Sequence, residues 1–138
     1  MGVEEGTSGT AKVSGISSTS KLAKTMAYIS KKGWDDRSGT DSTSGLPWQL
    51  VCQAMVQYAN QGNTAVNYWK TSAGGSWPDA TINAIKGYVD DAQDVSMPNG
   101  FKVFIADAGS KQNFAVFYIQ PTGKLRLSKI SSNTGITG

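Results

Sequence analysis

Near its end the chain alternates apolar and polar positions, and before that it does not. Phe101, Val103 and Ile105 alternate with Lys102 and Phe104, and Phe114, Val116 and Tyr118 with Ala115, Phe117 and Ile119. Leu125 and Leu127 then alternate with Lys124, Arg126 and Ser128. A period of two in segments rich in β-branched and aromatic residues predicts strands. Asp107-Ala108-Gly109-Ser110 and Pro121-Thr122-Gly123 supply the turns between them. The middle strand is apolar on both faces and belongs at the centre. The third carries a basic outer face.

Upstream the period lengthens to that of a helix. Leu22, Met26 and Ile29 mark a stripe in a helix over 19–32, with Thr19 or Ser20 as cap, Lys31 and Lys32 at its negative end and Gly33 as stop. Leu50, Val51, Ala54, Met55 and Tyr58 mark a second helix over 47–60, with Pro47 in its first turn. Val66 and Trp69 extend a helical spacing over 63–71. Ser76-Trp77-Pro78-Asp79 then reads as a start, with Ser76 as cap, for a helix burying Ile82, Ile85 and Val89. The expectation is one α+β domain over residues 19–130. Three or four short helices pack on one face of a three- or four-stranded antiparallel sheet formed mainly by the C-terminal third. Residues 1–18 read as a flexible arm or edge strand, with a weak strand pattern over 11–16, and 131–138 as a mobile tail.

Composition shifts the picture toward a surface solvated by hydroxyls. Charged residues are 17% of the 138, below the usual quarter. Ser (16), Thr (12) and Gly (16) together make up about a third. Such a surface favours an extracellular or assembly-forming protein. The net charge of +3 rests on 11 Lys and 2 Arg, a balance that suits solubility better than bidentate phosphate recognition. No stretch reaches the ~18 apolar residues of a membrane span.

Candidate chemistry is sparse. The absence of His removes Ser/His and Cys/His pairs and His-containing metal sites. Cys52, the single cysteine, falls on an apolar stripe and reads as a buried thiol. In the loop from Trp34 to Gly45, Asp36-x-Ser38-x-Thr40 is similar to the Asp-x-Ser-x-Ser pattern of Mg²⁺-binding adhesion domains, but no buried strand precedes it. An EF-hand would need a ligand at its twelfth position and a Gly at its sixth. The loop therefore reads as solvated, with Asp and Ser closing turns, and no metal or cofactor is expected. Asp90, Asp91 and Asp94 read as a solvated helix face, because sequence neighbours on a helix do not face each other.

One resemblance adds to this. Tyr68, Gly75, Trp77-Pro78, Ile82, Ile85 and Gly87-Tyr88-Val89, followed by Pro98 and strands, resemble the globular part of type IV pilins and pseudopilins over Tyr68 to Ile130. There a helix ending in Tyr, a Gly-x-aromatic-Pro turn, a short helix ending in Gly-Tyr-aliphatic and an antiparallel sheet follow one another. The resemblance implies a non-catalytic structural or adhesive subunit of an extracellular assembly, with other protein subunits as partners, copies of this chain among them. Trp34, Trp48, Trp69 and Trp77 are the candidate anchors, since Trp is enriched at interface hot spots; the competing reading, which carries more weight, places all four in or beside the core. The alternative function is a small basic module for single-stranded nucleic acid, in the cytoplasm, using Lys102, Lys124, Arg126 and Lys129 beside strand aromatics.

Overall fold

A computed structural model describes residues 2–5, 11–17, 21–98, 101–106, 114–119 and 124–129, with side chains at 21–98, Phe101 and Val103. The elements run β1 (Gly2–Glu5), β2 (Ala11–Ser17), α1 (Lys21–Lys32), a 3-10 turn (Trp34–Asp36), α2 (Trp48–Gln61), α3 (Asn63–Trp69), α4 (Asp79–Ala92), β3 (Lys102–Ala106), β4 (Phe114–Ile119) and β5 (Lys124–Lys129).

The organising element is α2. Every residue from Val51 to Val56 is buried, so this helix is enclosed on all sides. It packs against α1, α3, α4, the 3-10 turn and β3. The expected stripe on α1 widens to include Ala23, Thr25 and Ala27 beside Leu22, Met26 and Ile29. On α4 the expected Ile82, Ile85 and Val89 are joined by Thr81 and Ala92. Each fully buried aliphatic side chain, such as Met55, Ile85 or Val89, contributes about 2 kcal/mol by leaving water. Polar ties lock α1 to α4. The Gln93 amide donates to Thr25 Oγ1 (3.2 Å) and to the Val89 carbonyl (2.8 Å), and the Lys31 ammonium donates to the Ser96 carbonyl.

The helix ends follow local chemistry. Gly33 stops α1 in the left-handed region at φ 69°, and Gly62, at φ 57°, separates α2 from α3. Pro47 lies at the cap of α2, and its carbonyl accepts from the Leu50 and Val51 N–H groups (2.9 and 3.0 Å). Ser76 does not cap α4. The cap position is Pro78, with no side-chain cap bond, and Ser76 sits at φ 49°. The reason is that the Ser76 and Trp77 N–H groups donate back to Thr71 and Trp69 carbonyls (2.8 and 2.9 Å), which ties this segment to the end of α3. The proposed caps Thr19 and Ser20, the turns at 99–100, 107–110 and 121–123, and residues 131–138 lie outside the described residues.

The α+β expectation is corrected by this arrangement. Where side chains are described, 62% of residues are helical and 4% are strand, with no sheet among them. The apolar faces of the helices turn onto α2 and not onto a sheet, so the fold of this part is a helical bundle. The burial of α2 extends to both of its sides: Gln53 and Val56 lie off its expected stripe and are buried too. The strands, described by backbone, pair antiparallel in the order β1-β2-β5-β4-β3, five strands in place of three or four. The extensive helix contacts of this sheet are made by its edge strand, β3, which places Val103 in the helical core beside Phe101. The helices therefore do not form a layer over the sheet's face.

Cys52 is 1% exposed and free. Burial, reinforced by the charge of Asp35, pushes its thiol up to about 12. A thiolate is the reacting form, so Cys52 is expected to resist a thiol-reactive chromophore in native buffer at pH 8 and to react fully in denaturant. Rapid labelling of the native chain would contradict the buried position.

Candidate interaction surface

The bundle sorts the four tryptophans into two groups. Trp34 and Trp48 are buried where the 3-10 turn meets α2. The Trp34 ring lies 4.9 Å from Trp48, 5.0 Å from Tyr88 and 5.6 Å from Tyr28, the two tyrosines edge-on. The Arg37 guanidinium lies over Trp48, 4.9 Å from the ring centre. This is a filled aromatic cluster joining α1, α2 and α4, and neither indole is available as a surface anchor.

Beneath it, the loop expected to be solvated carries a buried hub. Asp41 is 5% exposed. Its carboxylate accepts from Ser44 Oγ (2.7 Å), the Tyr88 hydroxyl (2.8 Å) and the N–H groups of Ser44 and Thr43 (3.2 and 3.3 Å). The Thr81 hydroxyl donates to the Ser44 carbonyl (2.8 Å), so α4 grips the loop twice. Burial pushes the Asp41 carboxyl up, but the four hydrogen bonds outweigh it and hold the group below its ordinary value. Asp and Ser do close the turn, as the sequence indicates; what it does not show is that Tyr88 reaches in from 47 residues away. Asp36 and Thr40 of the metal-like pattern are exposed, as are Asp90, Asp91 and Asp94.

The second group lies between α3 and α4. Trp69 is 2% exposed, and its indole N–H donates to Gln57 Oε1 (3.2 Å). Trp77 stacks on it at 4.9 Å and 29°, and is only half-buried. The connecting loop, residues 70–76, is fastened to the end of α3. The Tyr68 carbonyl accepts from Thr71 N–H (3.0 Å) and Thr71 Oγ1 (2.6 Å), and Gly74 N–H donates to Thr71 Oγ1 (3.0 Å). Tyr68, off the Ala65–Val66–Trp69 buried stripe, is 54% exposed, and its hydroxyl donates to the Ala73 carbonyl (3.3 Å). Tyr68 is the large apolar side chain left exposed among the described residues. The seven residues of α3 are too short a pattern for the sequence to show that Tyr68 faces outward.

Both glycines of the loop are required. A Cβ at Gly74 would run into the Tyr68 carbonyl. Gly75 has φ 109°, and a Cβ there would stand 2.5 Å from Nε1 of Trp77. Gly75→Ala is expected to cost about 2 kcal/mol and to shift Trp77 emission toward that of an exposed indole. An unchanged melting curve and spectrum would contradict this loop geometry.

The basic candidates fall on the strands. Lys102 and Arg126 are both Cα partners of Tyr118, so the three occupy one cross-strand row, while Lys129 pairs with Ala115 and Ala11, and Lys124 with Ser17. Their side chains lie outside the described residues. Against the pilin pattern, α3 ends one residue beyond Tyr68, and Pro78 directly precedes α4, but Gly87-Tyr88-Val89 lies inside α4, which continues to Ala92.

No protein-family model matches the chain, and neither a curated protein nor a solved structure does.

Proposed function

We propose that the protein is a non-catalytic structural or adhesive subunit of an extracellular assembly, pilin-like in its use. The observation that carries this reading is the loop between α3 and α4, which holds an exposed Tyr68 and a half-exposed Trp77 rigidly on the bundle. Pre-ordered aromatic side chains lose little freedom when a partner covers them. The hydroxyl-rich composition supports an extracellular setting. Trp77 is the member of the predicted anchor set with surface to offer; Trp34, Trp48 and Trp69 support the fold. The test is fractionation of the native source with an antibody to the chain. The protein is expected in material sheared from the cell surface, in particles larger than the 14.6 kDa monomer. Recovery wholly as a cytosolic monomer would refute the reading.

The Lys102–Tyr118–Arg126 row favours a second reading, a single-strand nucleic-acid module. It requires binding to a single-stranded oligonucleotide that weakens steeply between ~50 and ~200 mM salt.

A further inference from the structure

We propose that the apolar face of the five-stranded sheet, beyond the edge held by the helices, binds the same face of a second copy of this chain. The proposal rests on the assembly reading above and deepens it by naming a contact surface and its occupant.

The pairing register brings the residues together. Val3, Val13, Leu127, Phe117 and Val103 are successive Cα partners across β1, β2, β5, β4 and β3, so they form one row on one face. Residues two apart on a strand share a face. Ile16, Leu125 and Ile119 therefore form the next row on that face, and Glu5, Ala11, Lys129, Ala115 and Ile105 the row on the other side.

Val103 fixes what this face meets. It is fully buried in the helical core, and Phe101, two positions before it, packs half-buried against the same core. The face is the one turned toward the bundle at β3. Among the described elements, α1, α2 and the 3-10 turn are in extensive contact with β3, and no helix is so with β4, β5, β2 or β1. The apolar rows thus continue past the helices over four strands. At ~4.8 Å between strands and ~3.3 Å per residue, the four span about 400 Å². An apolar patch on that scale marks an interaction site.

Charge selects the occupant. Lys102, Arg126, Lys12 and Lys124 fall in the rows of the opposite face. Among the described strand positions, the apolar face carries Lys129 and Glu5, in one row with Ala11 between them. A face without net charge does not draw an anionic membrane or nucleic acid. One cation and one anion on either side of β2 instead match a copy of themselves. A two-fold axis along β2 sets Lys129 against Glu5 of the second copy, twice, and Val13 against Val13. A two-fold pair requires such self-complementarity. Two apolar sheet faces pack in this way at ~10 Å.

The experiment is sedimentation and light scattering of the full chain over a range of concentrations. A reversible dimer of the 14.6 kDa chain is expected. Leu127→Asp is expected to weaken it at least ~10-fold. Lys129→Glu and Glu5→Lys are each expected to weaken it about 10-fold, since each sets like charges together. The two combined are expected to return it to within ~3-fold of the parent. Both positions end their strands, so circular dichroism of the charge variants should match the parent. Lys102→Glu, on the opposite face, should leave the dimer unchanged. A chain that stays monomeric at every concentration overturns the proposal. So does a dimer indifferent to Leu127→Asp, or a double charge reversal no stronger than the single ones. A purified monomer that is nonetheless found in native surface assemblies refutes this face alone; native recovery as a cytosolic monomer refutes the assembly reading itself.

Discussion

Trp34→Ala is expected to lower stability by about 4 kcal/mol, the largest effect of any single change to the aromatic cluster. The indole fills the space between Tyr28, Trp48 and Tyr88, and its removal leaves a cavity that three separate elements would have to collapse to close. Two of its neighbours lose edge-on ring contacts, each worth about 1 kcal/mol beyond the area buried. Denaturant unfolding followed by far-ultraviolet circular dichroism measures this loss. Such a change consumes a large part of the 5–15 kcal/mol typical of a domain, so partial unfolding at 37 °C is expected. Trp34→Phe restores part of the packing and should cost about half as much. A loss below ~1 kcal/mol for Trp34→Ala would mean that the indole is not in the core. The same measurement separates the two roles considered for the tryptophans, because a surface anchor can be truncated without loss of stability.

Asp41→Ala is expected to cost about 3 kcal/mol, by a different route. The carboxylate is the acceptor for two hydroxyls and two backbone N–H groups, and its removal leaves the Tyr88 and Ser44 hydroxyls and those N–H groups without it. Leaving a buried donor unpaired costs more than the net worth of the bond it made. Acid offers an independent check. The folded value of this carboxyl is lowered, so its contribution is complete above the ordinary carboxylate value and is lost as pH falls through the lowered one. Stability of the parent should therefore decline below about pH 4, and Asp41→Asn, uncharged throughout, should lack that component of the decline. Equal acid sensitivity in parent and Asp41→Asn would show that other carboxylates carry it.

The helices were legible in the sequence because each has a local cause. Gly33 and Gly62 sit where the backbone turns left-handed, Pro47 stands where its missing N–H costs nothing, and Ile82, Ile85 and Val89 recur at the helical period. The sequence shows a good cap for α4 at Ser76, but the Ser76 and Trp77 N–H groups donate to the Thr71 and Trp69 carbonyls, and local propensity does not register these bonds. Tyr68 was legible only as part of a resemblance. Its exposure depends on which side of α3 faces α2, and a seven-residue helix gives too short a pattern to decide that.

The sequence by itself determined where the helices lie and that Cys52 would be inside. These follow from the period of apolar side chains and from backbone preferences at Gly and Pro. The tertiary structure alone decided that α2, and not a sheet, is the centre of the described core. A helix can be buried all round only when several others are available to cover it, and one stretch of sequence does not say what the rest will cover. It also decided the fate of the polar and aromatic residues. Asp41 is buried because Tyr88 and Thr81, two turns apart on α4, reach its loop, and Trp34 is core because Tyr28, Trp48 and Tyr88 converge on it. Charge and ring type name what a side chain can do; only the neighbours brought in by folding decide whether it faces a partner or the interior.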